Sequence, residues 1–104
     1  MIDLKQLQKD IYKNKLDKGF NVTDINKEFC LTYGEMAEAY EAWRKKQIDI
    51  GEEIADVVIY LIGLSEILNI DLETELLKKV NKNKQREYKI INGVNTRVKE
   101  YNGE

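Results

Sequence analysis

Two carboxylate pairs mark where this sequence can do chemistry, Glu35-x-x-Glu38 and Glu53-x-x-Asp56. A spacing of three puts each pair on one face of a helix, about one turn apart. Residues 39–52 hold the end of one helix, a polar turn around Lys45-Lys46-Gln47, and the start of the next. Helices joined by so short a turn pack antiparallel. At roughly 1.5 Å per residue, Glu38 stands about 10 Å before the turn, and Glu53 and Asp56 a comparable distance after it. All four side chains can then face one another across one seam. Carboxylates gathered in this way repel unless positive charge sits among them, and a divalent cation that prefers oxygen is the simplest remedy. The plainer reading is a solvated charge run whose acids pair with lysines.

The elements around these pairs bear on that choice. In the helix carrying the second pair, Ile54, Val58, Leu61, Ser65 and Leu68 form one apolar stripe. Glu53 and Asp56 lie off it, on a stripe that continues as Tyr60, Leu64 and Ile67. With Val57 and Ile62 added, this helix is apolar almost all round, which predicts a central position. Its carboxylates are then partly buried, and buried charges are paired or bind metal. Upstream, Leu4, Leu7 and Ile11 with a capping Asp3 predict a first helix over residues 3–16, ended by Asp17-Lys18-Gly19, and Phe20 and Val22 should tuck against the core. Thr23 or Asp24 caps a second helix running to about Lys45, with Ile25, Phe29, Met36, Tyr40 and Trp43 as its apolar stripe and Glu35 and Glu38 flanking it. Gly34, mid-helix, either permits close packing or ligand approach or is merely tolerated. Asp49-x-x-Glu52 resembles a capping box for the third helix, which should end near Asn69.

Asp71 caps a fourth helix with Leu72, Leu76, Leu77 and Val80 inward. Lys79, Asn83 and Arg86 continue the Leu72–Leu76 stripe, so that face turns from apolar to cationic. The plainer reading is a lysine-rich helix end that complements the helix dipole. Asn92-Gly93, between Ile91 and Val94, predicts a short hairpin or a loose tail over residues 90–104.

Composition sets the limits. The 104 residues, 35% charged and without proline, predict one all-α domain with a modest core helped by self-association. Residues 1–77 carry sixteen acids and nine bases, whereas residues 78–104 carry three acids and eight bases. An acidic body with a basic C-terminal part suits a metal site beside a phosphate-binding arm, and no long basic face suggests nucleic acid. The single Cys30 gives no disulfide framework, so a reducing cytoplasm is expected. The first residues lack a signal peptide's apolar core, and the run Ala55 to Leu64 is too short to span a bilayer. Without any histidine, the usual zinc sites and Ser-His or Cys-His nucleophiles are excluded.

Taken together, Glu35-x-x-Glu38, Glu53-x-x-Asp56 with its long apolar helix, and Lys79-x-x-x-Asn83-x-x-Arg86 with Tyr88 just beyond resemble the MazG-like all-α nucleoside triphosphate pyrophosphohydrolases, a superfamily that includes dimeric dUTPases. The resemblance covers about residues 24–88 of a single 1–104 domain. Where that family often has a second acid beside its first Glu, this chain has Gly34. The resemblance implies a four-helix bundle and Mg²⁺-dependent (or Mn²⁺-dependent) hydrolysis of a nucleoside triphosphate to monophosphate and pyrophosphate. It implies Glu38, Glu53 and Asp56 as metal ligands, Glu35 as a fourth ligand or the group that orients water, and Lys79, Asn83 and Arg86 on the phosphates. A homodimer or dimer of dimers is expected, with no nucleic acid or membrane partner. The base pocket is not legible; Trp43, Tyr40 and Tyr60 are aromatic candidates that read as core. The alternatives are a phosphoribosyl-ATP pyrophosphohydrolase and a non-catalytic helical interaction module holding a structural ion. The Lys-Asn-Arg ending favours the nucleotide-hydrolysing branch over the first.

Overall fold

Asp3 and Asp24 start the first two helices. Each carboxylate accepts a hydrogen bond from the backbone N–H three residues on, that of Gln6 and that of Lys27, both at 3.1 Å. The computed structural model of the chain describes residues 1–99. Helices α1 (Leu4–Asp17), α2 (Ile25–Arg44), α3 (Ile50–Ile67) and α4 (Leu72–Gln85) are followed by strands β1 (Glu87–Ile91) and β2 (Val94–Lys99). The all-α class, the four helices and the C-terminal hairpin are as the sequence leads one to expect. The start of α3 differs. Asp49 makes no side-chain capping bond. Its ψ of 19° is not the extended conformation of Asp3 and Asp24, at 99° and 98°, that folds a capping carboxylate back over the first turn. Asp49-x-x-Glu52 is therefore not a capping box.

The chain divides into two compact units, Met1–Leu72 and the residues from Glu73 onward. In the first unit α3 packs against both α1 and α2. Ala39 and Ala42 of α2 are buried with Val57, Ile62 and Leu64 of α3, and these small alanines let the two helices close on each other. The α1 contact is closer still. A Cβ added to Gly63 would lie 3.3 Å from Lys15 Cδ and 3.4 Å from Ile11 Cγ2, so α1 crosses α3 where there is no side chain.

Two polar ties lock the three helices. Lys15 Nζ of α1 donates to Glu28 Oε1 of α2 at 2.5 Å, with Glu28 only 1% exposed. Asn21 donates to the other oxygen of Glu28 at 3.0 Å, which satisfies the buried carboxylate on both sides. At the other end of α1, buried Gln8 donates to Glu66 Oε1 at 2.8 Å and to the Ile70 carbonyl at 2.6 Å. Among the described residues no buried side-chain nitrogen or oxygen lacks a partner.

The apolar stripe of α2 is not its buried face. Ile25, Phe29, Met36, Tyr40 and Trp43 run from 39% exposed at Ile25 to 66% at Trp43. Glu28, Ala39 and Ala42 take the inner position instead. On α3, likewise, Ile54, Val58 and Leu61 of the expected inner stripe are about half exposed, whereas Val57, Leu64 and their neighbours are buried. The reason is steric as much as chemical. The inner faces are the ones narrow enough for the helices to approach, and the bulky stripes are left outside.

In the second unit Leu76, Leu77 and Val80 of α4 are likewise substantially exposed, not inward as their spacing suggests. After it, β1 and β2 pair antiparallel with Ile91 opposite Val94. Asn92 and Gly93 both take positive φ, 52° and 77°. That is the two-residue turn whose twist matches the strands, and it decides for the hairpin over a loose tail. Glu87 pairs with Lys99 at 3.4 Å, and Arg97 lies 5.9 Å from the Tyr88 ring centroid. Residues 100–104 of the expected tail lie outside the described residues.

The Lys15–Glu28 tie makes a stability prediction. Glu28→Ala leaves Lys15 buried without its counter-charge and should cost about 3–5 kcal/mol in denaturant unfolding. The double variant Lys15→Met/Glu28→Leu should recover most of that loss. A Glu28→Ala cost under 1 kcal/mol would show that water reaches the pair.

Candidate metal centre

Glu35 and Glu38 lie mid-way along α2, and Glu53 and Asp56 lie in the first two turns of α3. The turn between the helices is tight. Lys46 takes φ 56°, and Gln47 N–H reaches back to the Ala42 carbonyl at 2.8 Å. Reversing the chain there places one carboxylate oxygen each of Glu35, Glu38 and Glu53 within 4.8 Å of one another. Glu35, Glu53 and Asp56 are half-buried and Glu38 is exposed. Asp56 is not one of the three converging oxygens. It stands one turn beyond Glu53, close enough for its charge to act on Glu35 and on Glu53.

The electrostatics of the seam are those of crowded like charges. Partial burial, then the charge of Glu38 and a hydrogen bond shared with it, then the charges of Asp56 and Glu53, hold the Glu35 carboxyl above the usual carboxylate range. Glu53 is pushed the same way by partial burial, then by Asp49, Asp56, Glu38 and Glu52. The ion pairs of Lys5, Lys13, Lys15, Arg44 and Lys45 in the first unit do not reach these four acids. The donors are hard carboxylate oxygens with no nitrogen or sulfur among them, a set that suits magnesium, manganese or calcium and not zinc. Gly34 does not mark a close approach within the chain, since a Cβ there would meet nothing within 4 Å.

Lys79 and Asn83 lie on α4 and Arg86 directly after it, all in the second unit. Arg86 Nη1 donates to Asn83 Oδ1 at 3.2 Å, so two of the three expected phosphate contacts are neighbours at the end of α4. Tyr40 and Trp43, candidates for a base pocket, stack with centroids 6.2 Å apart on the exposed stripe of α2.

Three residues stand beside the seam, of which only Tyr60 is a candidate from the sequence, as an aromatic that reads as core. Tyr60 is half-buried one turn beyond Asp56. Its phenol is pushed to higher pKa by burial first, then by Glu35, Glu28, Asp56 and Glu38. Lys15 Nζ lies 5.3 Å from the Tyr60 ring centroid and pairs with Glu28. Glu28 stands seven residues before Glu35, two turns along one helical face, and that spacing was the available signal. Nothing in the sequence announces that Lys15, from another helix, will meet it.

Two findings about known proteins bear on this centre. The model of the MazG-like family matches residues 27–102, a span that takes in both carboxylate pairs and the Lys79–Asn83–Arg86 face. No curated protein and no solved structure matches the chain.

Protonation of the seam is linked to folding. Glu35 and Glu53 bind protons more tightly folded than unfolded, so their contribution favours the folded state most below the ordinary carboxylate value of 4.5. That contribution falls as pH rises through the folded-state values. With no histidine in the chain, little else titrates between pH 5.5 and 7. The metal-free protein should therefore melt at a higher temperature at pH 5 than at pH 7. Glu35→Gln should flatten that slope, and millimolar MgCl₂ should raise the wild-type melting temperature at pH 7. A wild-type melting temperature that rises from pH 5 to 7 without metal would contradict the crowded-carboxylate account.

Proposed function

The chain belongs to the MazG-like family, and on that premise we propose that it is a divalent-cation-dependent nucleoside triphosphate pyrophosphohydrolase, acting in the cytoplasm on nucleotide pools. The observation that carries this reading is the approach of Glu35, Glu38 and Glu53 to within 4.8 Å across the α2–α3 seam, without a counter-charge from the lysines of that unit. The family is usually metal-dependent, and the donor set here fits a hard cation. Glu35, Glu38, Glu53 and Asp56 would hold Mg²⁺, with Mn²⁺ as a substitute. When bound, the cation neutralises phosphate oxygens and the repulsion among its own ligands.

The rest of the chemistry falls to the chain. Water attacks the α-phosphorus, the bond from that phosphorus to the bridging oxygen breaks, and pyrophosphate leaves with that oxygen while the monophosphate keeps the new one. Glu35, whose carboxyl partial burial and the neighbouring acids hold above the usual carboxylate range, is suited to orient the water and take its proton. Lys79, Asn83 and Arg86 would hold the departing phosphates, Arg86 through its planar fork and Lys79 as a point charge. The Arg86–Asn83 hydrogen bond favours this by fixing the guanidinium before substrate arrives.

We also propose that the protein is a homodimer, or a pair of dimers. The stripes of α2 and α3, from Met36 to Trp43 and from Ile54 to Leu61, leave bulky apolar side chains about half exposed, and such surface favours association. A second copy would cover them symmetrically.

Pyrophosphate release from a panel of ribo- and deoxyribonucleoside triphosphates, with phosphoribosyl-ATP included and with Mg²⁺ or EDTA, tests the activity. Release should require the cation. Glu53→Gln should abolish it without loss of stability. Arg86→Ala should cost on the order of 2–4 kcal/mol of transition-state stabilisation, with Lys84→Ala as a near-neutral control. Full turnover by Glu53→Gln would remove the centre from the mechanism.

The assembly has its own measurement. Light scattering at micromolar concentration should give at least twice the chain mass, and Leu61→Glu should shift it toward monomer. A monodisperse wild-type monomer would refute the dimer.

A further inference from the structure

A local motif closes the end of α3 and leaves two backbone groups over. Asn69, at φ 60°, ends the helix in the left-handed region. Its N–H returns to the Glu66 carbonyl at 3.0 Å, and that of Ile70 to the Ser65 carbonyl at 2.8 Å, the pattern by which a helix satisfies its own last turn. The Ile70 carbonyl and the N–H of Leu72, the first residue of α4, are not served by it. Both are taken by one side chain from the other end of the first unit, Gln8 of α1, which is 6% exposed. Its Nε2 donates to the Ile70 carbonyl at 2.6 Å and to Glu66 Oε1 at 2.8 Å, and its Oε1 accepts from the Leu72 N–H at 3.4 Å.

We infer that Gln8 is a positioning residue: it fixes the corner at which α3 hands over to α4, and thereby the line along which α4 carries Lys79, Asn83 and Arg86. What those three residues do at the end of that line rests on the pyrophosphohydrolase reading. That Gln8 holds the corner does not.

The residue type suits the task. At this position one side chain donates to a carbonyl and a carboxylate and accepts from a backbone amide at once, which a carboxamide can do. A carboxylate could not donate, and an ammonium could not accept. Because the site is buried, each group left unpaired there is costly. Lys5 and Asp71 also meet at the corner, 3.4 Å apart, but both are about half exposed, and such pairs contribute little. α4 itself buries no residue, so packing within the chain does not set its course.

The lever is long. Arg86 lies fourteen residues beyond Leu72, about 21 Å along the helix direction. A tilt of about 5° at the corner then moves Arg86 by about 2 Å. Misplacing a binding group by about 1 Å can cost on the order of 100-fold in rate. The residues of the clamp all lie in the first unit. Gln8 precedes residue 27, where the match to the MazG-like family begins, whereas the corner it holds falls inside the matched span. α1 thus acts on the proposed chemistry at a distance, through the corner.

The test separates the corner from the activity. Cys30, the sole cysteine of the chain and exposed on α2, carries one spin label and Lys84→Cys on α4 the other, with labelled chain diluted into unlabelled. The spin–spin distances should fall in one narrow distribution, and Gln8→Met, similar in length but without the amide, should broaden it. Gln8→Asn, an amide one methylene too short to reach both backbone groups, should do the same more weakly and serves if the Met variant does not fold. With the preferred triphosphate, Gln8→Met should lower kcat/KM on the order of 10- to 100-fold. In the Arg86→Ala background it should lower kcat/KM less than about threefold, because its effect passes through that arm. Glu66→Gln, which still accepts from Gln8, should match wild type in both measurements. Ile62→Val, which loosens the α3 core instead, should lower the melting temperature and change neither. An unchanged distance distribution in Gln8→Met, or an equal loss of kcat/KM with and without Arg86, would overturn the inference and leave the activity standing. Broadening in Gln8→Met with no hydrolysis of any triphosphate by the wild-type chain would sustain the hold on the corner and overturn the activity.

Discussion

The first unit depends on the burial of one ion pair, Lys15 with Glu28. The pairs Lys5–Asp71, Lys13–Asp17, Arg44–Glu41 and Lys45–Glu41 are substantially exposed, and exposed pairs contribute little. This one joins α1 to α2 beside α3, with the Lys15 stem lying against Gly63 and its ammonium over Tyr60. A buried pair is not itself strong evidence of stability, because removing both charges from water offsets most of their attraction. Its effect is on specificity. Only one register of α1 lets Lys15 reach Glu28 and presents its stem to the one α3 position without a side chain. Helices held only by alanine and leucine contacts could slide by a turn at modest cost. These cannot.

That constraint matters because the neighbouring layer of the same seam is unfavourable. One turn along α3 from Tyr60, carboxylates converge with no counter-charge from the lysines of their own unit, and Glu35 and Glu53 hold protons more tightly than isolated acids do. Left to themselves, the two helices would splay there. The Lys15–Glu28 pair on one side and the buried Ala39, Ala42 and Val57 packing on the other keep them closed. The repulsion is then available to be relieved by a cation.

The two charged layers also divide the labour along α3. Asp56 faces the acids, Tyr60 faces both the acids and Lys15, and Gly63 receives α1. The outer stripes of the same helices face the other way. One pair of helices can therefore carry both an acidic inner seam and an apolar outer surface suited to association.

Much of this was legible in the sequence. The helix starts at Asp3 and Asp24, the Asn92-Gly93 hairpin and the places of Glu35 and Glu38 on one helix and Glu53 on the next all follow from local rules, because caps, two-residue turns and helical phase involve residues close in the chain. The same local rules failed where backbone geometry or packing overrode them. Asp49 has the right residue type for a cap, but its ψ is wrong for one. The bulkiest stripe of α2 looks like a core face, yet a single chain buries the face that fits closest, and here that is the face of Glu28, Ala39 and Ala42. The meeting of Lys15, Glu28 and Tyr60 was invisible for a different reason. It arises from three segments whose meeting is set by how α1 crosses α3 at Gly63, and no spacing within one segment encodes that crossing. The sequence by itself determined which residues could hold a cation and on which helical faces they stand. The tertiary structure alone decided which of them meet, since distances across a helix seam depend on packing and not on order along the chain.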